Sequence, residues 1–144
     1  MAQKDQAMNT ATSNTVALVG RILLAWLFIP AGLLKLTAFS GQVAYAQSVG
    51  MPMPEVGVAI GLLIELLGGI LLLVGFKTRC AAAVLAVFTL AAGVLFHAYW
   101  SVPADQVMIT KILFDKNVAI AGGLMAFVAF GAGSFSMDAK RNRL

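Results

Sequence analysis

The stretch VGVAIGLLIELLGGILLLVGF, residues 56–76, decides the fold. It is apolar or glycine throughout, except for one carboxylate, Glu65, near its middle. Its length matches the ~20 residues a helix needs to cross the hydrocarbon core of a bilayer. Open strands cannot make that crossing, because their edges leave backbone polar groups unsatisfied in lipid. A charged side chain at mid-membrane costs roughly 2.5–3.5 kcal/mol on insertion scales, so Glu65 calls for a partner or a task.

Three more runs of the same kind lie outward from this one. Residues 16–34 are interrupted by Arg21 and end just before Lys35; residues 80–99 carry no charge until His97; residues 118–135 follow a polar stretch. Together they predict an all-α, four-helix transmembrane bundle. Gly50-Met51-Pro52-Met53-Pro54 closes the first connection, Gly75-Phe76-Lys77-Thr78-Arg79 makes a tight second one, and residues 101–116 read as a longer third loop. A polar segment (1–15) precedes the membrane domain (16–136), and a basic tail (137–144) follows it. The polar start lacks an apolar h-region after a basic n-region, which predicts an uncleaved signal-anchor.

Composition agrees. The chain has 144 residues, 60% hydrophobic and 11% charged, with mean hydropathy +0.92. A soluble domain of this size could not hide so much apolar surface. The net charge of +4 sits at the ends of apolar runs or in Lys140-Arg141-Asn142-Arg143. That pattern suits lipid headgroups and offers nucleic acid no basic stripe interleaved with aromatics. Lys4, Lys77, Arg79, Lys140, Arg141 and Arg143 fall on the side of the termini, against Lys35, Lys111 and Lys116 on the other, which predicts cytoplasmic termini. A single cysteine, Cys80, allows no intrachain disulfide and no CxxC pair. A single histidine cannot supply two haem ligands, and no His, Cys and carboxylate grouping has zinc spacing, so no metal ligands and no catalytic residues stand out. Tyr99 and Trp100 suit an interfacial aromatic belt, Trp26 is core or lipid-facing, and the methionines read as packing residues.

Helical periodicity groups the polar residues. Gly57, Gly61, Glu65, Gly68 and Gly75 share one face of the second helix, and Arg21, Ala25, Phe28, Gly32 and Lys35 share one face of the first. Facing stripes predict an intramembrane ion pair between Arg21 and Glu65. Glu65 lies ~16 Å and Arg21 ~8 Å above the terminal end of their helices, a gap that a long arginine narrows. Pro30 predicts a kink, and Gly122, Gly123, Gly131 and Gly133 offer tight-packing positions. At the opposite end, Lys35, His97, Lys116 and Asn117 reach a similar depth beside the start of the fourth helix. They form a candidate polar ligand site for an anion or a quinone headgroup. Simpler roles stay open: Glu65 as a lock between helices, Arg21 and Lys35 as snorkelling residues, His97 as a satisfied polar group.

Gly20-Arg21-Ile22-Leu23 and Ala31-Gly32-Leu33-Leu34-Lys35-Leu36 precede Glu65-Leu66-Leu67-Gly68-Gly69 and Gly75-Phe76-Lys77-Thr78-Arg79-Cys80-Ala81-Ala82. Phe96-His97 and Asp115-Lys116-Asn117-Val118-Ala119-Ile120-Ala121-Gly122-Gly123 follow. In this order and spacing they resemble the DoxX family of small bacterial membrane proteins, over about 16–135. Pro30-Ala31-Gly32 departs from the family pattern, in which a histidine often precedes the glycine. The resemblance implies a four-helix protein of the bacterial inner membrane. Its family name comes from a subunit of a thiosulfate:quinone oxidoreductase, and other relatives are linked to membrane redox-stress complexes.

Three functions follow. The first is an accessory or anchoring subunit of a quinone-linked redox assembly, with a soluble or membrane redox partner. The chain's own residues form no cofactor-binding set, and quinone is the cofactor class left open. The second is a small proton-coupled transporter or permeation protein using Glu65. The third is a purely structural bundle. The bilayer is the common partner, and homo-oligomerisation is compatible with each.

Overall fold

Each apolar run becomes a helix, because lipid and core alike require every backbone N–H and C=O to be paired within the segment. A computed structural model describes residues 2–141, with side chains from residue 10 onward. Asn142, Arg143 and Leu144 of the basic tail, and the side chain of Lys4, lie outside the described residues. The order is α1 (Ala2–Thr37), α2 (Phe39–Ser48), α3 (Pro54–Val74), α4 (Thr78–Phe96), a short 3₁₀ turn (Tyr99–Ser101), α5 (Val107–Phe130) and α6 (Met137–Arg141). Among the described residues, four segments are long and apolar enough to cross a membrane: Thr10–Thr37, Pro54–Val74, Thr78–Ser101 and Val107–Phe130.

α1 lies along α3 and α4 along α5, and a shorter α3–α4 seam joins the two pairs. The core sits where all four meet, at Phe28, Leu72, Ala82, Leu85, Ala86, Ala121 and Leu124. Outward faces are apolar as well. Trp26 is 80% exposed, the lipid-facing of its two expected positions. Gly32 lets α1 approach α3 closely: a Cβ there would lie 2.8 Å from the Leu66 backbone nitrogen. Gly69 does the same against Ile29. These two contacts fix an antiparallel register in which each step up α1 is a step down α3.

Two features depart from the sequence reading. The chain after Thr37 turns into α2, a separate short helix that packs on α3 through its buried Ala46. The fourth long helix begins at Val107, well before the expected 118, because its first turns are apolar residues interrupted by Lys111, Asp115 and Lys116. Lys111 and Asp115 form an i,i+4 ion pair at 2.5 Å there, a spacing that supports a helix rather than a loop. Lys116 and Asn117 are therefore more than two turns inside α5, away from its N-terminus.

Candidate functional site

The two ends of the bundle hold different polar clusters. At the end of the termini, Arg21 is fully buried. Its Nη1 donates to the Leu73 carbonyl at 3.0 Å and its Nη2 to the Phe135 carbonyl. Leu73 belongs to the last turn of α3, where carbonyls lack helical partners and a cation is favoured. Gly75, with φ 69°, leaves the guanidinium room, since a Cβ there would overlap Arg21 Nη1 and Ser136. The segment after α5 folds back over this point. The Ser134 N–H donates to Asn14 Oδ1 at 2.8 Å, and the Asp138 N–H to the Gly75 carbonyl at 2.9 Å. The Asp138 carboxylate accepts from the N–H groups of Lys77 and Thr78 at 2.8 and 2.9 Å, capping the start of α4. Burial alone would raise the Asp138 carboxyl, but the amides of Thr78 and Lys77, with the charge of Arg141, hold it below the usual carboxylate range.

The expected Arg21–Glu65 pair is therefore not formed. Glu65 bonds Lys35, Nζ to Oε2, at 2.6 Å. Register explains the exchange. With Gly32 opposite Leu66 and Ile29 opposite Gly69, Glu65 comes level with Leu33, ~18 Å along α1 from Arg21. Lys35 is only half a turn beyond Leu33. Gly61 gives the lysine stem its path, because a Cβ there would already touch Lys35 Cε at 3.5 Å. The pair is largely shielded, with 19% and 10% of the two side chains exposed.

This ion pair is the polar end of a cavity of about 340 Å³ between α3 and α4, roofed by α2. The walls are mostly apolar: Val58, Ile60, Phe88, Ala91, Ala92 and Leu95. His97 and Gln42 bring further polar groups. Tyr45 and Phe96 stack at the rim, ring centroids 5.6 Å apart and planes at 16°. Of the four residues proposed for the loop-side cluster, Lys35 and His97 line this cavity. Lys116 is exposed on α5 and does not line it. Asn117 packs under Gly93, where a Cβ would meet its Cβ and Nδ2 at 3.3 Å. Sequence reasoning misses Gln42 and Tyr45 because α2 reads as part of a loop; its ten residues free of proline are the available signal. It also misses Asp138, a lone acid in a basic tail. Among the described residues, no three His, Cys, Asp or Glu side chains gather as metal ligands.

The DoxX family model matches residues 16–98, from the membrane part of α1 through α4, so Lys35, Glu65 and His97 all lie in the matched region. The chain belongs to the DoxX family. It is 36% identical over 128 residues to inner membrane protein YphA of Escherichia coli, covering 89% of this chain and 91% of that one. To inner membrane protein YqjF of the same organism it is 36% identical over 126 residues, covering 88% and 92%. It is 25% identical over 132 residues to the Surfeit locus protein 4 homolog of Drosophila melanogaster, covering 90% of this chain and 42% of that longer protein. No solved structure matches it. With four spans and inner-membrane relatives, this DoxX protein is a multi-pass inner-membrane protein in contact with the lipid bilayer.

Proposed function

We propose that this DoxX protein is an accessory or anchoring subunit of a membrane redox assembly, and that its loop-side cavity takes the headgroup of a quinone. One observation carries the reading: a shielded lysine–glutamate pair closes the end of a mostly apolar cavity. A flat headgroup with two carbonyl oxygens needs apolar walls and hydrogen-bond donors at its polar edge, and the residues present fit that need. The Lys35 ammonium has three donors and uses one on Glu65, so two can face a ligand. Glu65 holds the ammonium in place, and the Gln42 amide and His97 ring lie on the same cavity. A bound quinone would supply two-electron, two-proton redox chemistry. The chain has one histidine and one cysteine, and in this reading a partner protein brings the electron-transferring group. The basic bias toward the terminal side supports termini in the cytoplasm, which impermeant thiol labelling of Leu144→Cys in a Cys80→Ser background checks: protection in spheroplasts is expected, and labelling there contradicts it.

The ligand reading is tested with the full chain in lipid nanodiscs and a benzoquinone that carries only methyl groups. Saturable stabilisation against heat is expected, reaching about 2.7 kcal/mol at a hundredfold excess over Kd. The double variant Lys35→Met/Glu65→Leu should fold and lose that stabilisation. Absence of a saturable shift in the unaltered chain would overturn the proposal.

A further inference from the structure

The headgroup cavity shares part of its apolar wall with a second space. Phe88 and Ala91 line the cavity and also line this second hollow of about 490 Å³, bounded by Ile64, Ala83, Val84 and Val87. Every one of these side chains is apolar. The hollow follows the outer side of the α3–α4 seam, and from Ala91 to Ala83 it runs ~12 Å along α4 toward the terminal side. Val84 and Val87 are exposed to the surroundings of the bundle, which in a membrane are acyl chains. The two helices are joined tightly at the Gly75–Lys77 turn, and their seam is shorter than either neighbouring helix pair. Alanine at 83 and 91 keeps the furrow open where a larger residue would fill it.

We infer that this furrow holds the hydrocarbon chain of the molecule whose headgroup the Lys35–Glu65 cavity takes. The ligand is then a long-chain, lipid-soluble molecule that enters sideways from the bilayer between α3 and α4. The inference rests on the ligand reading above and narrows its substrate class. The decisive feature is adjacency. A polar-ended cavity and a wholly apolar furrow lie against the same two wall residues, Phe88 and Ala91, and a chain that crosses beside Ala91, whose side chain is one methyl group, reaches from one to the other. Transfer of a chain from lipid to the furrow brings little hydrophobic gain, because acyl chains are as apolar as the furrow. The gain comes from packing and from linkage: a head bound in the cavity holds its own chain at high effective concentration over the furrow, ahead of free lipid chains.

The test compares two probes on the full chain in nanodiscs, with concentrations given as mole fraction in the bilayer to remove partitioning. One probe is the methyl-substituted benzoquinone, and the other is the same ring with a long alkyl chain. The long-chain probe should bind at least about tenfold more tightly, a difference of ~1.4 kcal/mol. Ala83→Leu, which fills the furrow away from the headgroup cavity, should abolish that advantage and leave methyl-probe binding unchanged; the unchanged binding also reports a folded protein. Ala119→Leu, on the outer face of α5, should alter neither. Equal affinity for both probes, or an advantage that survives Ala83→Leu, would overturn the furrow assignment alone. Binding of neither probe would overturn the headgroup reading, and the furrow assignment with it.

Discussion

The two ends of this bundle use buried charge in opposite ways. At the terminal end, both Nη atoms of Arg21 are taken up by backbone carbonyls, and the Asp138 carboxylate by two backbone N–H groups. Each charge completes a helix terminus, and together they tie α1, the α3–α4 turn and the chain after α5 into one knot. At the loop end, Lys35 and Glu65 satisfy each other only in part and line an open cavity. Charges bonded to backbone carbonyls and amides build a lock, whereas a lysine–glutamate pair that faces an apolar cavity builds a place for a ligand. Intramembrane charge is by itself no sign of function; what the charged group faces, backbone polar atoms or an open cavity, separates the two cases.

The largest effect is expected at the lock. Arg21→Met leaves two carbonyls without donors, and hydrogen bonds to a charged group contribute ~1.5–3 kcal/mol each. A loss of at least about 3 kcal/mol is expected for unfolding in mixed micelles. Ligand stabilisation in the cavity should persist below the lowered melting point, since Arg21 lies ~18 Å from the level of Glu65. Loss of both properties together would erase the distinction between the ends. In the same assay Asp138→Asn should cost less, about 1 kcal/mol, the usual worth of a helix cap. Its pH dependence has a definite sign. The folded-state value is lowered, so the contribution is fully present above the unfolded carboxylate value of about 4 and fades as pH falls through the folded one. The stability difference between the unaltered chain and the Asp138→Asn variant should therefore stay flat above about pH 5 and shrink only in stronger acid.

Much of this architecture is legible from residues alone, because length and apolarity of a span are local properties. The face of α3 that carries Glu65 is legible too, since helical periodicity places Gly61, Glu65 and Gly68 together, and all three are buried. The partner of Glu65 is not. Periodicity tells which residues share a face but not how far one helix slides along another, and that slide is set by single close approaches, Gly32 on Leu66 and Gly69 on Ile29. α2 escapes because its helicity rests on docking: only Ala46 is fully buried, and its composition is polar and mixed. The early start of α5 is hidden by Lys111, Asp115 and Lys116, whose charges suggest a loop although the i,i+4 pairing of the first two favours a helix.

The central claim is that Glu65 serves the cavity through Lys35 and takes no part in the Arg21 lock. Two double-mutant cycles, read by unfolding in mixed micelles, test it most directly: Glu65→Gln with Lys35→Met, and Glu65→Gln with Arg21→Met. The first pair should couple by roughly 0.5–3 kcal/mol, as contacting residues do, and the second should be additive within ~0.5 kcal/mol. Additivity with Lys35 and coupling with Arg21 would contradict the account.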